Sequence, residues 1–350
     1  MARPPEVARL LERIVQATRR DELFGPNHTV MVACSGGPDS TCLLHALHHL
    51  RRLLRIRLIA FHFDHRLRPG SEQDATYVQG QARALNVPYV FRRATARPPV
   101  GESVEAWARV ARYAALTSAA TDAEADRVAL GHTLDDQAET VILGLARGGG
   151  LDALAAMAPS GSIPPLAFPA VRPLLGVTRA EVVAFNRALR LRPRRDPTNT
   201  DRRFLRNRVR MDVLPVMERA LERNLRATLA RTAEHVREDV EYLENLASEA
   251  AREVVEVRGE EVRLHADRVA ALPGPIGARV VRQAIRVAGA MSGDVGPAAG
   301  ATHIAGVLDL ASGRAGRRLD LPGDLVAERV RGYVRVSRPS PGRTTRKGER

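Results

Sequence analysis

The chain has 350 residues, which is too long for one hydrophobic core of ordinary size and predicts two or three domains. A hydrophobic content of 44% excludes general disorder, and two cysteines, Cys34 and Cys42, are too few for a disulfide framework or a four-cysteine metal site. The formal net charge of +14 predicts a polyanionic partner.

The N-terminal residues and the rarity of lysine exclude further classes of protein. No apolar run approaches the ~20 residues of a membrane span. Residues 1–20 mix arginine with acids and lack the apolar segment of a signal peptide, so we expect a cytoplasmic protein. Lys347 is the only lysine, which excludes a Walker loop ending in Lys-Ser/Thr, a Schiff-base lysine and a lysine general base from the body of the chain.

Residues 28–40 (HTVMVACSGGPDS) carry the first motif. A β-branched and apolar run, typical of a buried parallel strand, leads into two glycines, a proline and then apolar residues at helical spacing. This order predicts a strand, a tight loop and a helix. Gly36 and Gly37 let backbone N–H groups approach a ligand, and the following helix start favours an anion such as phosphate.

Strands and helices then alternate up to residue 147. The pattern predicts strands at 57–65, 88–93 and 127–131 and helices at 71–85, 101–120 and 134–147, with Ser71 as a helix cap. This alternation is typical of an α/β fold with a doubly wound parallel sheet. Ligands of such sheets bind at the carboxyl ends of the strands.

Three further polar clusters fall at those predicted strand ends or helix starts: FHFDHRLR (61–68), SVEAWARVARY (103–113) and GHTLDDQAET (131–140). Each also has a structural explanation, as strand-end residues exposed to water, an ion-pair ladder on a helix, and acids that complement a helix dipole. A pocket for ATP and Mg²⁺ would use the same carboxylates for metal binding or proton transfer.

The motifs resemble a known family. SGGPDS is similar to the pyrophosphate loop of the N-type ATP pyrophosphatases. Together with FDHRLRPGS, VEAWARVARY and GHTLDDQAET it resembles the tRNA(Ile)-lysidine synthetase family. The likeness extends through residues 147–157, 172–175, 178–189, 196–199 and 203–210. Arg66 stands where many members have glycine, and Thr133 where many have a second histidine.

The resemblance implies that the chain uses ATP with Mg²⁺ to adenylate the C2 oxygen of the wobble cytidine in an isoleucine tRNA with a CAU anticodon. L-lysine then displaces AMP and leaves lysidine. The implied nucleotide ligands are Ser35, Gly36, Gly37, Pro38, Asp39, Ser40, Asp64 and His65, with the metal on Asp39 and Asp136. The catalytic carboxylate candidates, which the sequence does not rank, are Asp39, Glu105, Asp135, Asp136 and Glu139.

Arginines dominate the predicted tRNA contacts. Residues 190–210 hold nine arginines against two aspartates, a density suited to phosphate. The residues expected to contact tRNA are Arg109, Arg112, Arg203, Arg206, Asn207, Arg208 and Arg210.

We expect a PP-loop catalytic domain over 1–219, with its nucleotide core at 28–147. A helical linker and a small α+β tRNA-binding domain are expected over 220–337, and a basic disordered tail over 338–350. The linker pattern covers 223–255, followed by a strand at 262–264, helices at 275–288 and 301–311, and two or three short strands within 317–336. The sequence leaves open whether the chain forms a homodimer.

Two other functions compete with this interpretation. A tRNA sulfurtransferase can share the fold, but its chemistry usually needs a cysteine pair or a cysteine-held cluster, and this chain has no C-x-x-C. A non-catalytic RNA-binding protein with a relic nucleotide fold is the second, and the intact SGGPDS and LDDQAET motifs argue against it.

Overall fold

The computed structural model describes residues 3–67, 70–99, 101, 103–291 and 299–339. The chain divides into two compact units, Met1–Arg237 and Glu238–Arg350. Residues 68 and 69 of the second polar motif and residues 340–350 of the predicted tail lie outside the described residues. No helix in the described ranges combines the length and the apolar character needed to cross a membrane.

Among the described residues of the first unit, the central sheet has six strands. In chain order they are β1 (Thr29–Ala33), β2 (Arg57–Asp64), β3 (Tyr89–Arg93), β4 (Arg127–Ala129), β5 (Ser160–Ile163) and β6 (Leu166–Val171). The spatial order is β3-β2-β1-β4-β6-β5, with every neighbouring pair parallel except β5 and β6. The predicted α/β fold with a parallel sheet is confirmed. The β5–β6 hairpin was not predicted.

Helices cover both faces of this sheet. In chain order the helices up to residue 254 are α1 (Pro5–Arg20), α2 (Pro38–Leu50), α3 (Glu72–Ala84), α4 (Val104–Asp122), α5 (Leu134–Ala146), α6 (Leu151–Leu154), α7 (Arg179–Ala188), α8 (Leu205–Arg208), α9 (Leu214–Leu221) and α10 (Leu225–Val254). Helices α1, α2, α3 and α7 pack on one face of the sheet and α4 on the other, and the boundary between the two units falls within α10. A short 3₁₀ helix at Pro197–Thr200 precedes α8, and a π-helical turn at Val209–Val213 follows it.

Strand β1 explains why the sheet needs helices on both sides. Val30 and Val32 pack into one core with residues of α1, α2 and α7, whereas Met31 packs into a second core with Tyr113 and Leu116 of α4. Successive side chains of a strand point to opposite faces, so an unbroken apolar run buries both.

One local prediction was wrong. Ser71 precedes α3 but makes no cap hydrogen bond, because its backbone (φ −62°, ψ −26°) is already helical instead of extended. Its hydroxyl bonds to the carboxylate of Asp64 instead.

Among the described residues of the second unit, a five-stranded antiparallel sheet packs against helices. The strands are β7 (Val255–Arg258), β8 (Glu261–His265), β9 (Arg318–Leu321), β10 (Leu325–Val330) and β11 (Tyr333–Ser337), in the order β7-β8-β11-β10-β9. The helices are α11 (Ala266–Ala270), α12 (Gly274–Met291) and α13 (Ala301–Ser312). Alternate residues such as Val262, Leu264, Val334 and Val336 are buried against α12 and α13. The predicted strands and helices of this region are confirmed, whereas β7 and α11 were not predicted.

Candidate active site

A cavity of about 750 Å³ opens at the carboxyl ends of β1, β2 and β4. The loop after β1 contributes Ser35 and residues 37–40 to its wall, the end of β2 contributes residues 61–67, and the segment after β4 contributes Gly131, His132 and Asp136. The fourth polar motif, on α4, contributes Arg112 and Tyr113, so all four motifs meet at this cavity.

The loop after β1 is held by its own hydroxyl groups. Ser40 Oγ accepts a hydrogen bond from the backbone N–H of Ser35 at 3.1 Å and lies 3.1 Å from Ser35 Oγ, which in turn accepts from the N–H of Gly37 at 3.3 Å. Gly36 has φ +85°, a conformation that favours glycine. Because a Cβ on Gly131 would lie 3.2 Å from the backbone of Asp39, that glycine lets the next strand end pack against the loop.

Three groups distant in sequence fix the loop from outside. His62 Nδ1 lies 2.7 Å from the carbonyl oxygen of Cys34, Asn186 Nδ2 donates to that of Pro38 at 3.0 Å, and the backbone N–H of Arg194 donates to that of Gly36 at 2.9 Å. The sequence placed His62 in the second polar cluster and Arg194 in the arginine-rich segment, but it predicted none of these three contacts with the loop. Their partners are main-chain carbonyl groups, for which a sequence carries no signal.

Asp39 lies at the start of α2 and faces Arg179. Its Oδ2 accepts from the guanidinium of Arg179 at 3.2 Å, whereas its Oδ1 is buried and has no hydrogen-bond partner among the described residues. Burial raises the pKa of Asp39; Arg179 opposes this effect, and the nearby Asp136 adds to it. A further cation beside Oδ1 would relieve both the burial cost and the repulsion.

Asp136 caps the helix on which it lies. Its Oδ2 accepts from the N–H of Thr133 at 2.8 Å and from the Thr133 hydroxyl at 2.9 Å. Its Oδ1 lies 3.1 Å from Arg206 and 3.4 Å from Arg210. Burial alone would raise the pKa of Asp136, but Arg206 and the Thr133 hydrogen bonds outweigh it and lower the pKa. Asp136 is therefore ionised at neutral pH.

Glu139 lies one turn further along α5 and is not part of the cavity wall. Its side chain is 1% exposed and accepts from Arg206 Nε at 2.7 Å and from Arg210 Nε at 2.5 Å. We call these four side chains, Asp136, Glu139, Arg206 and Arg210, the charge cluster. The two arginines predicted to contact tRNA are thus bound to carboxylates, and Arg210 also lines the cavity.

The other two carboxylate candidates lie outside the cavity wall. Asp135 Oδ2 accepts from the backbone N–H of Arg179 at 2.8 Å, and its Oδ1 lies 3.3 Å from Arg226. It therefore joins α5 to the starts of α7 and α10. Glu105 is exposed on the first turn of α4.

Asp64 and His65 line the cavity at the end of β2. Asp64 accepts from the N–H of Arg66 at 2.9 Å and from Arg93 at 3.1 Å. Its pKa is lowered because these bonds outweigh burial. Arg66 has φ +56°, a left-handed backbone conformation that favours glycine. Burial, with help from Arg112, lowers the pKa of His65 to about 4.

His132 is a cavity residue that sequence reasoning did not select. Its Nδ1 is buried without a partner among the described residues, and burial lowers its pKa to about 3 despite the nearby Asp136. The imidazole is therefore neutral at physiological pH.

The remaining residues predicted to contact tRNA differ in exposure. Arg109 and Arg112 stack on the Tyr113 ring at 4.8 and 5.2 Å. Arg203 and Arg208 are exposed, and Arg203 pairs with Asp201 at 2.7 Å. Asn207 is buried, and its amide donates to the carbonyl oxygens of Thr198 and Asp201 at 2.8 and 2.9 Å. Asn207 therefore holds the preceding loop.

Comparison with known proteins assigns the family. The PP-loop domain model matches residues 6–217. The tRNA(Ile)-lysidine synthase of Thermobifida fusca is 38% identical over 339 residues, which cover 96% of this chain and 99% of that protein. This chain belongs to the tRNA(Ile)-lysidine synthase family. The family member of Symbiobacterium thermophilum is 37% identical over 345 residues, 95% of this chain and 70% of its own length.

A solved structure agrees with this fold. The U34-tRNA thiolase NcsA from Methanococcus maripaludis superposes with a TM-score of 0.56 at 18% identity, over 66% of this chain and 79% of its own. At that identity the likeness concerns the fold alone. The family predicted from the motifs is confirmed, and the PP-loop domain supports the use of ATP.

Proposed function

We propose that the chain is an ATP-dependent ligase that joins L-lysine to C2 of the wobble cytidine in an isoleucine tRNA with a CAU anticodon, forming lysidine. One observation carries the proposal. The SGGPDS loop, which includes Asp39, opens into a cavity that Asp136 also lines, in a chain aligned with lysidine synthases over 95–96% of its length.

The first step transfers adenylate. The cytidine O2 attacks the α-phosphorus of ATP, the bond between that phosphorus and the bridging oxygen to the β-phosphorus breaks, and pyrophosphate leaves. The N–H groups and hydroxyls of the loop beside the cavity are suited to donate hydrogen bonds to the negative charge that develops on the leaving pyrophosphate. Esterification to phosphate turns O2 into a good leaving group.

Magnesium fits the donor set at the cavity. The buried, unpartnered Oδ1 of Asp39 and the neighbouring ionised Asp136 are hard oxygen donors of the kind that Mg²⁺ prefers. Asp39 and Asp136 would hold the ion together with phosphate oxygens. The metal would neutralise charge on the triphosphate.

The second step joins lysine to the base. The lysine amine attacks C2, the C2–O2 bond breaks and AMP leaves. An amine that is cationic in water must first lose a proton. Among the five carboxylate candidates, only Asp39 and Asp136 line the cavity, so we assign proton removal to this pair.

The burial of both cysteines favours lysine ligation over sulfur transfer as the function. Cys34 is 4% exposed and Cys42 is fully buried. Burial raises the pKa of Cys34 to about 12 and also raises that of Cys42. Both side chains therefore stay protonated at neutral pH, whereas sulfur transfer by cysteine needs a thiolate.

The test supplies full-length protein with ATP, isotopically labelled lysine and an isoleucine tRNA transcript, followed by mass analysis of the nucleosides. We expect labelled lysidine, with AMP and pyrophosphate released in equal amounts. A matched transcript with uridine at the wobble position is the control and should stay unmodified. Incorporation of sulfur without lysine would favour a sulfurtransferase, and absence of pyrophosphate release would favour a binding protein.

A further inference from the structure

We propose that Arg179 is the side-chain cation that binds the polyphosphate of ATP, and that its pairing with Asp39 is the arrangement it adopts without nucleotide. The inference depends on the proposed function only in requiring ATP as a substrate. It adds a residue that lies 140 positions from the loop it would serve.

The backbone of Arg179 is fixed from two sides. Thr178 and Glu181 form a capping box at the start of α7, in which Thr178 Oγ1 accepts from the N–H of Glu181 at 3.2 Å and Glu181 Oε2 accepts from the N–H of Thr178 at 2.9 Å. Asp135 accepts the N–H of Arg179 itself at 2.8 Å. The Cα of Arg179 therefore has a set position, and its side chain lies in the cavity wall.

The guanidinium has unused capacity for hydrogen bonds. One nitrogen donates to Asp39 Oδ2 at 3.2 Å, whereas Nε is buried without a partner among the described residues. The side chain is 33% exposed, so it has access to a ligand in the cavity. An arginine presents five N–H donors in a planar fork that matches phosphate oxygens in pairs.

Two of the other three cavity arginines are engaged elsewhere, and the third, Arg66, is exposed just after β2. Arg210 pairs with Glu139, and Arg112 stacks on Tyr113. Arg179 is the one whose side chain contacts the SGGPDS loop itself, through Asp39. Because Lys347 is the only lysine in the chain, the loop cannot use the lysine that cradles phosphate in Walker-type sites. The polyphosphate, with several negative charges, is a stronger partner for Arg179 than the single charge of Asp39.

The experiment measures ligand binding to full-length protein without tRNA or lysine. For R179M, we expect ATP and pyrophosphate each to bind at least tenfold more weakly, while the affinity for adenosine changes less than threefold. R179K, which keeps the charge but loses the fork, should fall between R179M and the parent protein. R13M is the matched control, because Arg13 contacts Glu181 and Gly176 beside the same helix but is not part of the cavity wall.

Equal losses for ATP and adenosine in R179M would overturn the proposal, since they would show a merely structural role. Unchanged pyrophosphate binding in R179K and R179M would overturn it as well. A poorly folded R179M leaves R179K as the deciding variant. The proposed ligation and the role of Arg179 can fail separately. If the parent protein bound ATP but formed no lysidine, and R179M still lost affinity for ATP but not for adenosine, the ligation would be rejected and the role of Arg179 would stand.

Discussion

The backbone N–H of Arg194 lies 2.9 Å from the carbonyl oxygen of Gly36, which ties the start of the arginine-rich segment to the nucleotide loop. The side chain of Arg194 also contacts Asp74 at 3.3 Å and Gln73 at 2.7 Å. A segment expected to contact tRNA thus shares a hydrogen bond with the loop expected to hold ATP.

This contact predicts that the main chain of Arg194 matters more than its side chain. R194P removes the N–H donor and leaves the Gly36 carbonyl without it, at a cost of about 1–3 kcal/mol. We expect ATP affinity to fall roughly 5- to 100-fold in R194P. R194A keeps the N–H and loses only partly exposed polar contacts, so its ATP affinity should change less than about threefold. Equal affinities for the two variants in calorimetric titrations would contradict this prediction.

The charge cluster predicts different losses for its two acids. E139Q leaves Arg206 and Arg210 without their most buried counter-charge, so it should lower the free energy of unfolding by up to about 3–5 kcal/mol. D136N should weaken ATP binding less than it slows lysidine formation, whose single-turnover rate should fall by about a hundredfold or more. Denaturant unfolding and rapid-quench assays separate the two effects. A D136N protein with the parent rate would restrict Asp136 to capping the helix.

The half-buried histidine just after β2, His65, predicts a loss of stability in acid. His65 has a pKa of about 4 when folded against an ordinary value of 6.5. The unfolded chain therefore takes up its proton first, and stability falls as pH drops from about 6.5 towards 4. H65N should make the pH dependence of the free energy of unfolding less steep in that window, and His132, whose pKa is also lowered, should account for part of the slope that remains. The charged or titratable groups that act on His65 are His62, Asp64, Arg112 and Asp196.

The arginines of residues 203–210 predict two separable effects on tRNA binding. Arg203 and Arg208 are exposed, so R203A and R208A should weaken tRNA binding and make its salt dependence shallower, with little change in melting temperature. R206A and R210A break the charge cluster and should lower the melting temperature as well. Affinity measured across salt concentrations, beside thermal unfolding, tests the division. Unchanged salt dependence in R203A and R208A would remove both from the contact set.

Local patterns predicted the nucleotide loop, the parallel sheet and most helices, because apolar periodicity and glycine placement act over short stretches of chain. The same patterns did not predict that Arg179, Arg194 and His62 contact the loop, because these partners are brought close only by the fold. Glu139 illustrates the opposite case. Its acidic motif pointed to chemistry, whereas two arginines about 70 residues away occupy its carboxylate. The β5–β6 hairpin was missed because Pro169 interrupts the apolar run of β6.

The division of β1 between two cores limits how the enzyme can change over evolution. A single-residue insertion or deletion before Ser35 would send Val30 and Val32 to the side that now holds Met31, and would move the loop by about 3.3 Å. The insertion or deletion would therefore disrupt the packing of both cores and displace the loop that we expect to bind phosphate. We therefore expect the number of residues between the start of this strand and the loop to change only by two at a time. Each such change would need an equal and opposite change in length at the start of the strand, so that the loop keeps its position.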